Sequence, residues 1–312
     1  MSDKIINSRC ICRKGLTWVN KKVIMLMPCE HMIHERCFKK KKICPFCDVN
    51  VETTVSLDDF KNDNNLYQQC IDIMSATNFD KLSSITYYRL IYNSPNIISL
   101  LSRLMYMRNA SNLKSITNDI LQRNNIRVIV DGLDKIKHGK KVFISNHTST
   151  LDTFAIYNSI DTGFLCSSSI RDSFLSENIL NILPLLYVNR GSRENTVERM
   201  KEYVEKNGSI CLFPEGALTP PNTIIRFRTG AFNIGYPIYP IVLKYSKCIS
   251  DMSHINCLLK IGSCTGETIH LSVLDPVYPP FDNEKIENIR KNMATHGSFV
   301  MSRVSNRDIQ EP

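Results

Sequence analysis

The segment Lys141-Val142-Phe143-Ile144-Ser145-Asn146-His147-Thr148-Ser149-Thr150-Leu151-Asp152 opens as an apolar run, turns polar at Asn146, and leads into a helical pattern over 150–160. A short apolar run closed by a polar cluster predicts a buried strand, a turn and then a helix. His147 and Asp152 lie five positions apart, about 140° around an ideal helix. They can meet only if His147 sits in the turn, and Ser149 or Thr150 as N-cap places it there. Further strand-like segments follow the same pattern at 126–130, 162–165, 186–188, 209–213 and 237–243, with helical patterns at 174–182 and 193–206. Such alternation predicts an α/β domain with a mainly parallel sheet, and ligands of such sheets gather at the carboxyl ends of the strands.

A His-x4-Asp spacing is weak alone, and a chain with 7 histidines carries a second copy at His270 and Asp275. That copy lies in an apolar-alternating segment running into Pro276, which reads as a structural strand. The first copy differs by its company. Tyr187-Val188-Asn189-Arg190 and Phe213-Pro214-Glu215-Gly216 stand at the ends of two other predicted strands. Phe227-Arg228-Thr229-Gly230-Ala231-Phe232 and Pro237-Ile238-Tyr239-Pro240 come after them.

In order and spacing these blocks, over about residues 125–280, resemble the glycerolipid acyltransferases, the PlsC-like family that includes lysophosphatidate and glycerol-3-phosphate acyltransferases. The resemblance implies transfer of an acyl group from acyl-CoA to a hydroxyl of a lysophospholipid or glycerol phosphate. His147 is then the general base, and Asp152 fixes its tautomer and stabilises the imidazolium. Asn146, Arg190, Phe213, Pro214, Glu215, Gly216, Arg228 and Gly230 are implied to bind substrate, with Arg190 as a phosphate clamp. The family commonly continues Gly-Thr-Arg-Ser after the glutamate. This chain has Gly216-Ala217-Leu218-Thr219, so either Arg226 or Arg228 compensates or the acceptor differs, for instance a lysophospholipid with a larger head group.

The net charge of +9 is concentrated at the start of the chain: residues 1–50 hold eleven basic against four acidic side chains. Six of the 12 cysteines are there too, as Cys10-x-Cys12, Cys29-x-His31-x2-His34-x2-Cys37 and Cys44-x2-Cys47. Eight sulfur and imidazole donors in so short a segment suit two tetrahedral zinc sites, and metal would supply folding free energy that a small core lacks. The order resembles a RING finger. That resemblance implies interleaved sites, with Cys10, Cys12, His34 and Cys37 on one zinc and Cys29, His31, Cys44 and Cys47 on the other. Ile11 and Pro45 fall where RINGs dock a ubiquitin-conjugating enzyme, while Asp48 replaces the cation that usually follows the last ligand. The alternative function is therefore a membrane-associated RING-type ubiquitin ligase whose acyltransferase-like domain binds lipid without catalysis.

The expected organisation is a RING-like module at 1–50, a linker at 51–65, helices at 66–124 that can face a membrane, the α/β domain at 125–280, and a C-terminal helix and tail at 281–312. A hydrophobic content of 43% excludes a disordered chain and a multi-span membrane protein. Met1 to Cys10 lacks a signal-like apolar core, and no 18 apolar residues run together. The expected location is cytoplasmic, peripheral on an internal membrane such as the endoplasmic reticulum. Outside residues 1–50 the charge nearly cancels, so no nucleic-acid partner is expected.

Overall fold

The computed structural model describes residues 10–11, 22–29, 31–38, 42–56, 72, 76, 87–94, 113–168, 183–189, 195–247, 249–250, 254–263 and 266–306. The expected helix at 174–182 lies outside these residues, as do 66–86, except Asp72 and Ala76, and 95–112 of the expected helical region. The main body is a seven-stranded sheet. Its strands are β4 (Ile126–Asp131), β5 (Lys141–Ser145), β6 (Gly163–Ser167), β7 (Leu185–Val188), β8 (Ser209–Leu212), β10 (Ile238–Tyr245) and β11 (Glu267–Val273). They run in the order β4-β11-β10-β5-β8-β6-β7, parallel throughout except between β10 and β11. The α/β, mainly parallel expectation describes this sheet. His270 lies on β11, a structural strand, and Asp275 beyond it pairs with Lys135 at 3.4 Å.

The central strands are apolar on consecutive residues because both faces of the sheet are covered. Val142, Ile144, Ile210, Leu212 and Val242 face one core, which α4 (Thr196–Asn207) and α6 (Asn283–Gly297) complete with Met200, Val204, Ile286, Ile289 and Met293. Phe143, Cys211, Ile241 and Leu243 face the other core, lined by Leu121 of α2 (Leu113–Arg123), Phe154 and Ile156 of α3 (Asp152–Ser159), and Cys257 and Ile261 of α5 (His254–Gly262). Since β10, β5 and β8 are parallel neighbours, their carboxyl ends sit side by side. Tyr245, the turn after Ser145, and Phe213 are thereby brought to one edge.

At the N-terminal end, β1 (Val23–Met27), β2 (His31–His34) and β3 (Thr53–Ser56) form an antiparallel sheet in the order β2-β1-β3, with α1 (Glu35–Phe38) after β2. Thr53–Ser56, expected in the linker, pairs with β1 instead, Met27 opposite Thr53 and Ile24 opposite Ser56. Polar threonines read as loop, yet their β-branched side chains suit a half-exposed edge strand. The chain end also departs from expectation. After α6, which Asp282 caps by accepting the Lys285 N–H at 2.7 Å, Val300–Met301 (β12) pairs with Thr223–Ile224 (β9). Ser302, Val304 and Asn306 are then 0%, 8% and 2% exposed, so alternate residues of 300–306 are packed onto the body.

Candidate active site and a cysteine–histidine module

The turn after β5 carries His147. Asp152 is the first residue of α3, where the helix N-terminus favours a negative charge. Its Oδ2 accepts from His147 Nδ1 at 2.8 Å, from the Thr148 N–H at 2.7 Å and from the Ser149 N–H at 3.0 Å. Its Oδ1 accepts from the Tyr245 hydroxyl at the end of β10. Neither Ser149 nor Thr150 caps α3. The N-cap is Leu151, with no side-chain cap, and Asp152 instead reaches back over the turn to the imidazole and to the N–H groups of Thr148 and Ser149. With Nδ1 engaged, Nε2 is the ring nitrogen left for a substrate. The Phe213 ring stacks on His147 at 4.0 Å between centroids and 15° between planes, and the His147 side chain stays 21% exposed.

Tyr245 was not visible as a site residue in the sequence, being the last apolar residue of a core strand. Burial first, then the Asp152 charge, pushes its phenol well above the usual range, so it remains a donor. Tyr245→Phe leaves Asp152 Oδ1 buried without that donor. The change is expected to cost about 1–3 kcal/mol of stability in urea denaturation.

The expected acceptor-binding residues divide by burial. Asn146 is 1% exposed, and its amide is spent on β10, with Nδ2 donating to the Leu243 carbonyl at 2.9 Å and Oδ1 accepting the Leu243 N–H at 2.8 Å. It splices β5 to β10 and has no face to offer a substrate. Glu215 is 0% exposed, with Oε1 accepting the His147 N–H at 2.8 Å and Oε2 the Ile225 N–H at 3.0 Å. Burial pushes its carboxyl up to about 8, against the pull of those two N–H groups. Pro214 is buried as well. Both residues, expected at the substrate, lie buried in the wall behind the turn.

Gly216 and Arg228 remain at the surface of the site. Gly216 has φ +70°, a left-handed conformation that favours glycine, and a Cβ there would crowd Arg228 Nε at 3.0 Å. Arg228 Nε donates to Asn306 Oδ1 at 2.9 Å, a partner that a reading of 281–312 as a tail had missed. Leu218, at the position of the family's usual arginine, is 6% exposed and turned inward. Gly230 opens a short 3-10 turn over Thr229–Ile234, and an added Cβ would meet nothing within 4 Å, so no close approach requires glycine. Arg190 lies outside the described residues; it follows Asn189 at the carboxyl end of β7.

In the N-terminal sheet, the ligand atoms of Cys29, His31, Cys44 and Cys47 all lie within 4.8 Å of one another, and so do those of Cys10, His34 and Cys37. Cys12 lies outside the described residues. Cys44 Sγ is 3.6 Å from His31 Nδ1, and Cys37 Sγ is 4.0 Å from His34 Nδ1. A tetrahedron with zinc–sulfur bonds of about 2.3 Å has edges of about 3.8 Å, so both groups have the right size. Burial raises the Cys44 thiol to about 11 and lowers His31, which leaves a neutral imidazole beside a thiol that a cation would ionise.

A strand-end histidine is thus held by a buried carboxylate. Residues 127–244, which run from β4 into β10 and hold both residues, match the sequence family described as Acyltransferase. The lysophospholipid acyltransferase LPEAT1 of Arabidopsis thaliana is 33% identical over 190 residues, which are 53% of this chain and 46% of that protein. Human lysophosphatidylcholine acyltransferase 1 is 28% identical over 169 residues, 48% of this chain and 32% of that one. The chain thus spans less than half the length of these curated relatives. The crystal structure of the 1-acyl-sn-glycerophosphate (LPA) acyltransferase PlsC from Thermotoga maritima is also similar, with a TM-score of 0.48, 16% identity, and coverage of 68% of this chain and 94% of that one.

Proposed function

We propose that the protein transfers an acyl group from acyl-CoA to a hydroxyl of a lysophospholipid or glycerol phosphate. The observation that carries this reading is the His147–Asp152 pair at 2.8 Å, presented beside Phe213 at the sheet edge. His147 Nε2 takes the proton of the acceptor hydroxyl as its oxygen attacks the thioester carbonyl. Asp152 holds the tautomer and balances the imidazolium. The tetrahedral intermediate then collapses, the carbon–sulfur bond breaks, and the CoA thiolate takes the proton back from His147. In this reading the acceptor phosphate is bound by Arg228, whose Nε donates to Asn306 Oδ1, and by Arg190.

The relatives' names favour a lysophospholipid over glycerol phosphate as acceptor. Purified protein with acyl-CoA is therefore expected to acylate lysophospholipids bearing choline, ethanolamine or bare phosphate at least tenfold faster than glycerol 3-phosphate. The reverse order would reassign the acceptor. Among the described residues no helix is long and apolar enough to cross a membrane. The helix at 87–94 exposes Tyr88, Ile91 and Tyr92 at 72%, 74% and 79%, and such amphipathic aromatic residues suit a peripheral position at a lipid interface.

The module would hold two zinc ions, one on Cys29, His31, Cys44 and Cys47 and one on Cys10, His34 and Cys37 with Cys12 as the fourth ligand expected from the sequence. Bound there, zinc supplies structural cross-links and no chemistry. A second reading, a RING-type ubiquitin ligase with a lipid-binding domain, is favoured by Ile11, which is 40% exposed where a ubiquitin-conjugating enzyme would dock. Self-ubiquitination that is lost in Cys44→Ser and indifferent to His147→Ala would favour that reading.

A further inference from the structure

We infer that Glu215 is a positioning residue rather than a substrate contact, and that through Ile225 it makes the N-terminal cysteine–histidine module a supporting wall of the catalytic turn. The peptide of His147 is held from both sides. Its N–H donates to Glu215 Oε1 at 2.8 Å, and its carbonyl accepts the Thr219 N–H at 2.7 Å. The other oxygen of Glu215 accepts the Ile225 N–H at 3.0 Å. One buried carboxylate therefore ties the backbone of His147 to the backbone of Ile225. A carboxyl group this deeply buried needs its oxygens hydrogen-bonded, and both are spent on backbone N–H groups.

Ile225 belongs to neither of the two sheet cores. It is 0% exposed within the module's apolar cluster, together with Val23, Met25, Leu26, Met32 and Ile33 of β1 and β2. Val304 joins the same cluster and accepts the Arg226 N–H at 2.9 Å, while Ala217, two residues after Glu215, packs against it. The module thus grips the far end of the link that holds His147. Loosening the module's core frees Ile225, which slackens Glu215 and then the turn. No exposed surface of Glu215 remains for an acceptor to touch.

The inference rests on His147 being the base only where activity is measured, so two readouts are needed. Met32→Ala opens the module's core without touching any expected metal ligand. In the full-length chain, backbone amide hydrogen exchange at Ile225 and His147 is expected to rise tenfold or more, while the amides of Val142 and Ile144 in β5 hold. Unchanged exchange at either Ile225 or His147 overturns the coupling. Val304→Ala perturbs the same cluster from the other side and serves if Met32→Ala does not fold. Glu215→Gln puts an amide NH2 against a backbone N–H. It is expected to lower kcat at least tenfold with the acceptor KM within twofold, and to speed exchange at the His147 amide. A raised KM at preserved kcat makes Glu215 a substrate contact and overturns its positioning role. Should the native protein show no acyl transfer, the function fails while the exchange data still decide the coupling.

Discussion

Replacing His147 with alanine is expected to lower kcat/KM for acyl transfer by about 10²–10⁴, the usual contribution of a positioned general base. The fold is expected to survive. The side chain is partly exposed and packs chiefly on Phe213, and Asp152 keeps its bonds from Thr148, Ser149 and Tyr245 after the imidazole is gone. Hydrogen bonds to the backbone of His147, through Glu215 and Thr219, do not depend on its side chain. The melting temperature should therefore move by a few degrees at most while the rate collapses. Steady-state kinetics and a thermal melt on the same preparation separate the two effects. A variant that melts as the native protein does and retains full activity would remove His147 from the chemistry.

Stripping metal is expected to have the second large effect, and on a different part of the molecule. The N-terminal sheet has three short strands around a small apolar core, too little to balance the conformational entropy of folding. Structural zinc supplies on the order of 10–16 kcal/mol of binding free energy in small zinc-dependent modules. Chelation should thus release protection from the amides of β1, β2 and β3 while α6 and the central strands stay protected. Native mass spectrometry is expected to find two zinc ions per chain before chelation, with Cys44→Ser losing one. A chain that purifies without metal and keeps an ordered N-terminal sheet would contradict this. Because Ile225 shares the module's core, the release should also reach the His147 amide.

The parts legible in the sequence are those with a local cause. The passage from Val142-Phe143-Ile144 through a polar turn into a helix fixes the strand, the turn and the place of His147, because periodicity changes within a dozen residues. The spacing of the cysteines and histidines likewise assembles the two ligand groups. What the sequence concealed depends on partners far along the chain. Asn146 and Glu215 look like polar residues bound for a substrate, yet each meets backbone 97 and 10 residues away. Tyr245 falls beyond the expected strand at 237–243, and β10 runs on to it and sets it beside Asp152. Thr53–Ser56 reads as linker because its pairing partner, β1, lies across the whole module. The segment 300–306 reads as a tail because tertiary contacts hold it, with β9, Arg228, Arg290 and the module's apolar cluster.

The most direct measurement is product formation by the purified full-length chain. The protein is incubated with oleoyl-CoA and a 1-acyl lysophospholipid, and the lipids are analysed by mass spectrometry. Diacyl phospholipid is expected from the native protein, together with an equal amount of free CoA, and only a background trace from His147→Ala. Equal product from both proteins, or none from the native protein with any lysophospholipid or with glycerol 3-phosphate, would contradict acyl transfer at this site.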